Sequence, residues 1–179
     1  MTNITPSNEQ NQAIKAISNW YHNGSKPFFY LAGYAGSGKT SIAKPIVHGC
    51  GIDPDDTSEV LYAAYTNKAA MVLGRKGLNA STIHNLMYIL KEVQGKGKER
   101  KLVFGLDPAS RIRNLKLLVL DEPTSALDHN NREAFIELLL EQANQAGSTL
   151  IFVSHDPTLE KLFTRTIDLK TVNQAKVVV

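Results

Sequence analysis

The residues Gly33-Tyr34-Ala35-Gly36-Ser37-Gly38-Lys39-Thr40 fit the pattern G-x-x-x-x-G-K-[ST] without a mismatch. Glycines let backbone N–H groups curl around phosphate oxygens, and a following helix N-terminus adds partial positive charge. Lys39 is predicted to reach the β- and γ-phosphates of a nucleotide, and Thr40 to ligate Mg²⁺ through its hydroxyl. The alternative is a glycine-rich turn before a helix. The predicted nucleotide-binding residues of this P-loop are Gly33, Ala35, Gly36, Ser37, Gly38, Lys39, Thr40 and Ser41.

Two further polar stretches follow apolar runs. Residues 115–120 predict a buried strand that ends at Asp121-Glu122, which downstream of a P-loop is the Walker B pattern. Asp121 would then hold Mg²⁺, through water, and Glu122 would polarise the attacking water; the alternative is a solvated turn. His155 could donate a hydrogen bond to the γ-phosphate, although its spacing alone fits an ordinary loop histidine equally well. The predicted catalytic residues are Lys39, Glu122 and His155, and the predicted metal ligands are Thr40 and Asp121.

Alternating strands and helices must position these groups. The predicted strands are 28–32, 59–66, 115–120, 149–153 and 166–169, with a sixth possible at 176–179. The predicted helices are 7–22, 39–48, one from Asn67, one from Ser81 through Leu90, 130–145 and 157–163. Ser7 is expected to cap the first helix and Gly24 to end it, whereas Pro45 is expected to kink or shorten the second. This alternation predicts an α/β fold with a mostly parallel sheet between two helical layers. Ligands of such sheets bind beyond the carboxyl ends of the strands, where the P-loop, Asp121-Glu122 and His155 should meet.

Composition favours one domain. The chain has 179 residues, of which 42% are hydrophobic, and its net charge of +3 is compatible with nucleic acid but too weak to argue for it. The single cysteine, Cys50, excludes an intramolecular disulfide. No apolar run approaches the length of a membrane span, and residues 1–6 lack a signal-peptide pattern, so we expect a cytoplasmic protein. The basic, glycine-rich stretch 94–101 predicts an exposed loop between short strands. A solvated loop that binds no ligand is the simpler interpretation of this stretch.

The first part of the chain carries one family's motifs. They are Thr5 through Ile14, similar to a Q motif; the P-loop, similar to motif I; 64–70, similar to motif Ia; and 81–84, similar to a T-x-H element. Residues 1 to about 117 thus resemble the first RecA-like domain of a superfamily 1 DNA helicase of the RecD and phage type. The resemblance implies that Gln10 recognises adenine and that motif Ia and the T-x-H element lie near single-stranded DNA.

The rest of the chain carries motifs of a second family. Residues 117–128 read LLVLDEPTSALD, which is similar, almost letter for letter, to the Walker B and D-loop of an ABC transporter ATPase. Residues 148–156 read STLIFVSHD and resemble the ABC switch strand and H-loop, which implies a γ-phosphate role for His155. The stretch 162–169 resembles the segment that follows in ATPases of the exporter or lipoprotein-release kind. A helicase would not be expected to continue Asp-Glu with Pro-Thr-Ser-Ala-Leu-Asp.

Neither resemblance is complete. The ABC signature L-S-G-G-Q should precede Walker B, but residues 105–116 read GLDPASRIRNLK. The helicase resemblance does not extend to a second RecA-like domain with its arginine finger. We therefore expect an engineered chimera, with natural recombination as the alternative, joined around 115–121 into a single three-layer RecA-like domain over 1–179. Its segments would be 1–117 and 118–179, and its five-stranded sheet would have the order 5-1-4-3-2 that both families share.

These observations predict a domain that binds ATP, or another NTP, with Mg²⁺. Hydrolysis is expected to be weak or absent, so the chain would be at most a slow NTPase, because no charge-stabilising group supplied in trans is visible. We expect nucleotide as the partner, no helicase or transport activity, no membrane partner and no required oligomer. The alternative is a single-stranded-DNA-binding ATPase fragment of a helicase, which would rest on Lys68, His84 and the basic loop.

Overall fold

The computed structural model describes residues 5–24, 27–94, 100–107, 109–125, 127–163 and 165–169. Its α-helices are α1 (Asn8–Asn23), α2 (Ala43–Gly49), α3 (Asn67–Arg75), α4 (Ile83–Met87) and α5 (His129–Ala146). Its strands are β1 (Phe28–Ala32), β2 (Val60–Ala64), β3 (Ala80–Thr82), β4 (Tyr88–Gln94), β5 (Arg100–Leu106), β6 (Leu117–Asp121), β7 (Thr149–Ser154) and β8 (Thr166–Asp168). Short 3₁₀ helices span Thr40–Ile42, Arg111–Asn114 and Pro157–Leu162.

Six strands form the main sheet, in the order β3-β2-β6-β7-β1-β8. Each described pairing in it is parallel. The five strands that were predicted in the order 5-1-4-3-2 are β8, β1, β7, β6 and β2, so that order is confirmed. The predicted count was wrong by one, because the short strand β3 adds to the edge beside β2.

Helices cover both faces of this sheet, as predicted. One core cluster joins α1, α2 and α3 to the strands and includes Ile17, Ile46 and Leu73. The other joins α4 and α5 to the opposite face and includes Leu86 and Ile136. Successive strand residues point to opposite faces, which is why nearly the whole of β1, β2, β6 and β7 is apolar and buried.

The helix predicted from Ser81 through Leu90 was wrong in extent. Thr82 keeps an extended backbone at the end of β3 and caps the backbone N–H of Asn85, so α4 is confined to Ile83–Met87. The chain then turns extended, and Leu90 pairs with Phe104 in an antiparallel hairpin. Cross-strand pairing therefore overrides the helical spacing of the apolar residues. The hairpin confirms short strands on either side of the predicted basic loop, whose residues 95–99 lie outside the described part of the chain.

Other boundaries differ in smaller ways. The helix predicted over 39–48 begins as a 3₁₀ turn, and α2 proper starts at Ala43. Pro45 is the third residue of α2, where the N–H that proline lacks has no partner within the helix, so it causes no break. Residues 157–162 form a 3₁₀ helix instead of an α-helix. Ser7 caps α1 and Gly24 ends it in the left-handed conformation, as predicted. The possible strand 176–179 lies outside the described residues.

None of the helices in the described ranges is both long and apolar enough to cross a bilayer.

Candidate functional site

The P-loop connects β1 to the 3₁₀ turn and has a backbone that only glycine accepts comfortably. Gly36 and Gly38 both have φ of +82°, in the left-handed region. A Cβ on Gly38 would lie 2.3 Å from Nε2 of Gln10, and a Cβ on Gly33 would lie 2.8 Å from Oγ of Ser37. The buried hydroxyl of Ser37 has no hydrogen-bond partner among the described residues. The loop is therefore a tight cradle in which a side chain at Gly33 or Gly38 would displace its neighbours.

Lys39 lies inside this cradle. Its side chain is only 6% exposed. The ammonium donates hydrogen bonds to the carbonyl oxygens of Gly33, at 2.6 Å, and Tyr34, at 2.9 Å. It also lies 3.7 Å from Oε1 of Glu122. A buried ammonium needs such partners, and they hold its positive charge at the centre of the loop.

Thr40 and Asp121 meet across the sheet. The Thr40 hydroxyl donates to Oδ2 of Asp121 at 3.1 Å, which joins the P-loop to the end of β6. Burial raises the pKa of the Asp121 carboxyl, and the hydrogen bond from Thr40 opposes that shift. A hydroxyl and a carboxylate side by side are oxygen ligands of the kind that Mg²⁺ uses.

Glu122 is held on several sides. Its backbone has a φ of +47°, a conformation uncommon for a residue other than glycine. Its N–H donates to the carbonyl of Val153 at 2.8 Å. The carboxylate accepts a hydrogen bond from the Ser154 hydroxyl at 3.0 Å, and the same oxygen lies 2.9 Å from Nδ1 of His155. The strained backbone thus aims this carboxylate at Lys39 and His155.

The end of β7 holds His155 in place. The neighbouring Asp156 forms a 2.6 Å ion pair with Arg132 of α5. The Tyr30 hydroxyl, from β1, donates to the backbone carbonyl of Asp156 at 2.6 Å. Two side chains from different elements therefore fix the residue beside His155, whose exposed ring faces the cleft.

These groups line one open cleft of about 380 Å³ at the carboxyl edge of the sheet. The cleft is lined by Ala35, Gly36, Gly38, Lys39, Thr40, Ser41, Lys76, Asp121, Glu122 and His155. The structure therefore brings the predicted catalytic residues, the predicted metal ligands and most of the predicted phosphate-binding residues together. Gly33 and Ser37 lie behind this surface, in the loop itself.

Gln10 lies on the outer side of the P-loop. Its Oε1 accepts a hydrogen bond from the backbone N–H of Ser7 at 3.0 Å, which completes a capping box at the start of α1. Its Nε2 donates to the carbonyl of Ser37 at 3.5 Å. The side chain predicted to recognise adenine thus also ties α1 to the loop, and its contact with a base stays a prediction.

Sequence reasoning missed two residues of the site. Lys76 reaches the cleft from the end of α3, and Ser154 holds Glu122. Ser154 could have been found from its place at the end of a buried strand, within the stretch 148–156 and one residue before the predicted catalytic residue His155. Lys76 could not, since its place depends on the path of the chain through α3.

The donor set fits magnesium bound together with phosphate. Within the described ranges, no group of three or more His, Cys, Asp or Glu side chains forms a metal cluster. A protein site of this kind supplies only one or two oxygens to Mg²⁺ and leaves the rest to phosphates and water. Thr40 and Asp121 match that pattern, beside a loop whose glycines leave room for phosphate oxygens.

Comparison with known proteins finds two kinds of relative by sequence. The chain is 35% identical over 102 residues to the lipoprotein-releasing system ATP-binding protein LolD of Shewanella sp. (strain MR-4), which covers 57% of this chain and 41% of that protein. It is 42% identical over 69 residues to the probable ABC transporter ATP-binding protein p29 of Mycoplasma pneumoniae, covering 38% of this chain and 27% of p29. The chain therefore spans about two fifths or less of the length of these relatives.

Among solved structures, the chain is similar to the Pif1 helicase from Candida albicans, with a TM-score of 0.54 and 20% sequence identity. The match covers 93% of this chain and 39% of the helicase. At this identity the likeness concerns the fold. The chain thus combines ABC-ATPase features in its sequence with a helicase-like P-loop fold.

The family of this chain is shown by a match that covers more of its length. A family model described as an AAA domain matches residues 5–160, which include α1, the P-loop, the Asp121-Glu122 pair and His155. That match covers most of the chain and both segments that the motifs distinguish. The chain therefore belongs to the AAA-domain family of P-loop NTPases.

Proposed function

We propose that the chain binds ATP, or another NTP, together with Mg²⁺ in the cleft above the P-loop. The observation that carries the proposal is the 3.1 Å hydrogen bond between Thr40 and Asp121, beside the ammonium of Lys39. A hydroxyl and a carboxylate from two distant segments thus meet in the cleft that Lys39 also lines, which supports binding of a nucleotide's phosphates there. The ammonium can bind phosphate oxygens, and the hydroxyl and the carboxylate can hold Mg²⁺.

Binding would reorganise the Lys39 contacts. The ammonium would exchange its hydrogen bonds to the Gly33 and Tyr34 carbonyls for charge-assisted bonds to the β- and γ-phosphates, which are stronger. Thr40 and Asp121 would hold Mg²⁺, which when bound supplies charge neutralisation to the β- and γ-phosphate oxygens. Backbone N–H groups of 35–40 would surround the phosphates, because no Cβ on the glycines obstructs them.

We propose that hydrolysis is weak or absent. Glu122 is the candidate for orienting the attacking water, but its carboxylate is engaged by Ser154, by His155 and by the charge of Lys39. The described residues that line the cleft include no arginine. A cationic group that stabilises the transition state is worth about 10³–10⁵ in rate for P-loop enzymes. The chain would therefore be at most a slow NTPase.

Isothermal titration with a non-hydrolysable ATP analogue and Mg²⁺ tests the proposal. Lys39→Ala should weaken binding by about 10- to 150-fold, the cost of losing hydrogen bonds to a charged group. Lys44→Ala is the matched control, because Lys44 lies one turn further on and pairs with Asp55 at 2.6 Å on the surface. Absence of binding by the wild type, or equal affinities of the two variants, would overturn the proposal.

We further propose that the chain is a chimera, engineered by joining a helicase-like segment 1–117 to an ABC-ATPase-like segment 118–179 within β6. Its support is the motif content of the two segments and the place of the join. β6 lies at the centre of the sheet, where Leu118 pairs with Leu61 of one segment and Leu150 of the other. A natural protein matching both segments end to end would contradict an engineered origin.

The two segments should form a single domain. Trp20 is the only tryptophan of the chain, and its buried ring packs on Phe29 at 4.9 Å within the first segment. Its fluorescence therefore reports unfolding of residues 1–117, whereas far-UV circular dichroism reports the whole chain. Coincident urea transitions are expected for one cooperative domain, and separated transitions would show two units.

The second candidate function is that of a single-stranded-DNA-binding ATPase fragment. An aromatic cluster at the carboxyl edge of the sheet favours it: His84 stacks on Tyr88 at 5.5 Å, and Tyr65 lies 5.5 Å from His84 and 5.7 Å from Phe135. His84 is exposed and the other three rings are half-buried. Such rings can stack on bases without reading their sequence.

Fluorescence anisotropy with labelled oligo-dT tests this second candidate. We expect binding that weakens with salt and that His84→Ala reduces, since stacking on one aromatic ring is worth about 1–3 kcal/mol. Met71→Ala is the control, because Met71 is exposed but lies outside the cluster. Flat anisotropy at low salt would remove this candidate and leave nucleotide binding untouched.

A further inference from the structure

Lys76 is the one residue of the cleft that no motif accounts for. It follows α3, where its N–H donates to the carbonyl of Leu73 at 3.0 Å. The next two residues fix the turn: the Gly77 N–H bonds to Gly74 at 2.9 Å and the Leu78 N–H to Leu73 at 3.1 Å. Leu73 and Leu78 are both buried in the core. The backbone of Lys76 is therefore anchored, while its exposed side chain extends along the wall of the cleft.

Lys76 lines the same cleft as Asp121 and Glu122. Its positive charge therefore faces a cleft that also holds two carboxylates. Lys39 lies deeper, within the P-loop, where it donates to the Gly33 and Tyr34 carbonyls and is the proposed contact of the β- and γ-phosphates. Across the described part of the chain, Lys76 has no ion pair and no side-chain hydrogen bond, so its ammonium remains available to a ligand.

A polyphosphate entering the cleft without metal meets an electrostatic obstacle. The carboxylates of Asp121 and Glu122 both face the cleft and repel phosphate oxygens. Asp121 and Thr40 would hold Mg²⁺, whose positive charge would offset much of that repulsion. Without metal, the neutralisation must come from the protein, and Lys76 is a cation of the described cleft lining that has no ion pair of its own.

We infer that Lys76 is a binding residue for the polyphosphate that acts mainly when Mg²⁺ is absent, by neutralising Asp121 and contacting the terminal phosphates. The inference rests on the proposed nucleotide binding and deepens it. The cleft would then hold two cationic side chains with different roles in phosphate binding. Lys39 would contact the phosphates with and without Mg²⁺, whereas Lys76 would matter mainly without it.

The test compares ATP affinities with EDTA and with excess Mg²⁺ by isothermal titration. Lys76→Ala should weaken binding in EDTA by about fivefold, the upper end for an exposed ion pair, and by less than twofold with Mg²⁺. Lys76→Arg should retain the affinity in EDTA, because it keeps the charge. Arg75→Ala is the matched control, since Arg75 is the exposed cation one position earlier and does not line the cleft.

The outcomes separate this inference from the proposed function. If the wild type binds Mg-ATP but has no measurable affinity in EDTA, or if Lys76→Ala matches Arg75→Ala in EDTA, the role of Lys76 is overturned and the nucleotide site stands. An equal loss for Lys76→Ala with and without Mg²⁺ also overturns the role, because it would show a contact that the metal does not replace. Absence of binding by the wild type in both buffers overturns the nucleotide site itself.

Discussion

Ser148 connects the two segments of the chain at a buried position. It lies between α5 and β7 and is only 1% exposed. Its hydroxyl lies 2.6 Å from the carbonyl oxygen of Ile112 and 2.9 Å from that of Leu115. Ser148 belongs to the ABC-like segment and its two acceptors to the helicase-like segment. Ser148→Ala therefore removes a polar contact across the proposed join without creating a steric clash.

The expected loss of unfolding free energy follows from the hydrogen bonds of the Ser148 hydroxyl. The hydroxyl has one proton to share between two acceptors, so it counts as about one hydrogen bond. The Ile112 carbonyl keeps a second donor, the Leu115 N–H at 3.2 Å, whereas the described contacts give the Leu115 carbonyl no other donor. Losing one bond and leaving one buried carbonyl unpaired costs about 1–2 kcal/mol of unfolding free energy. At about 2–4 °C per kcal/mol for a chain of this size, the Tm should fall by about 2–8 °C.

Differential scanning calorimetry without nucleotide measures this change. Ser125→Ala is the control, because Ser125 is exposed and its hydroxyl makes no hydrogen bond in the described structure; a change below about 0.5 kcal/mol is expected. A Tm for Ser148→Ala within 1 °C of the wild type would refute the reasoning, whatever the control shows. A loss equal to that of Ser125→Ala would show that the Ser148 hydroxyl adds nothing measurable to the stability.

Three further predictions concern the site. Asp121→Asn should raise the Tm of the ligand-free protein at pH 7 and abolish the dependence of nucleotide affinity on Mg²⁺. Burial raises the pKa of Asp121, so the folded state binds its proton more tightly and the stability of the wild type falls as pH rises through that pKa. A pH series of urea melts should show that the variant lacks this fall in stability. Thr40→Val should weaken Mg-ATP binding more than binding in EDTA, and an equal loss in both buffers by titration would contradict a metal role. Gly38→Ala should cost about 1 kcal/mol or more of stability because its φ is +82°, and a second change, Gln10→Ala, should not restore it in urea melts.

Much of the fold was predictable because its signals are local. Buried parallel strands such as β1 and β6 are continuous apolar runs, and α1 has both a capping serine and a terminal glycine. The stretch from Ser81 to Leu90 was not predictable in the same way. Its apolar spacing suits a helix, and only the partner strand β5 makes residues 88–94 extended. Pairing between strands is a tertiary effect that periodicity within one segment does not contain.

In the candidate site, too, some features follow from local sequence signals and others from tertiary contacts. Lys39, Thr40, Asp121 and Glu122 were predictable, because each follows a strand whose carboxyl end must lie at the common edge. The partners of Glu122 were not: its left-handed backbone and its contacts with Ser154 and Lys39 depend on how β6 and β7 align. Lys76 depends on the path of a whole helix. Motifs therefore predict which groups reach the cleft, and the sheet register decides which of them touch.

This division explains how a site could persist in a chain of mixed features. The distance between Thr40 and Asp121 depends on the alignment of β1, β7 and β6, in which Ala32 pairs with Ser154 and Asp121 with Val153. A join inside β6 leaves that alignment unchanged as long as no residue is gained or lost, because a slip of one residue would turn Asp121 to the opposite face of the sheet. Deleting Val119 should destroy Mg-dependent binding, whereas Val119→Ala keeps the number of residues and should leave the β6 register and the binding intact. Equal Mg-ATP affinities of the two variants, both still folded by circular dichroism, would show that register does not position the site.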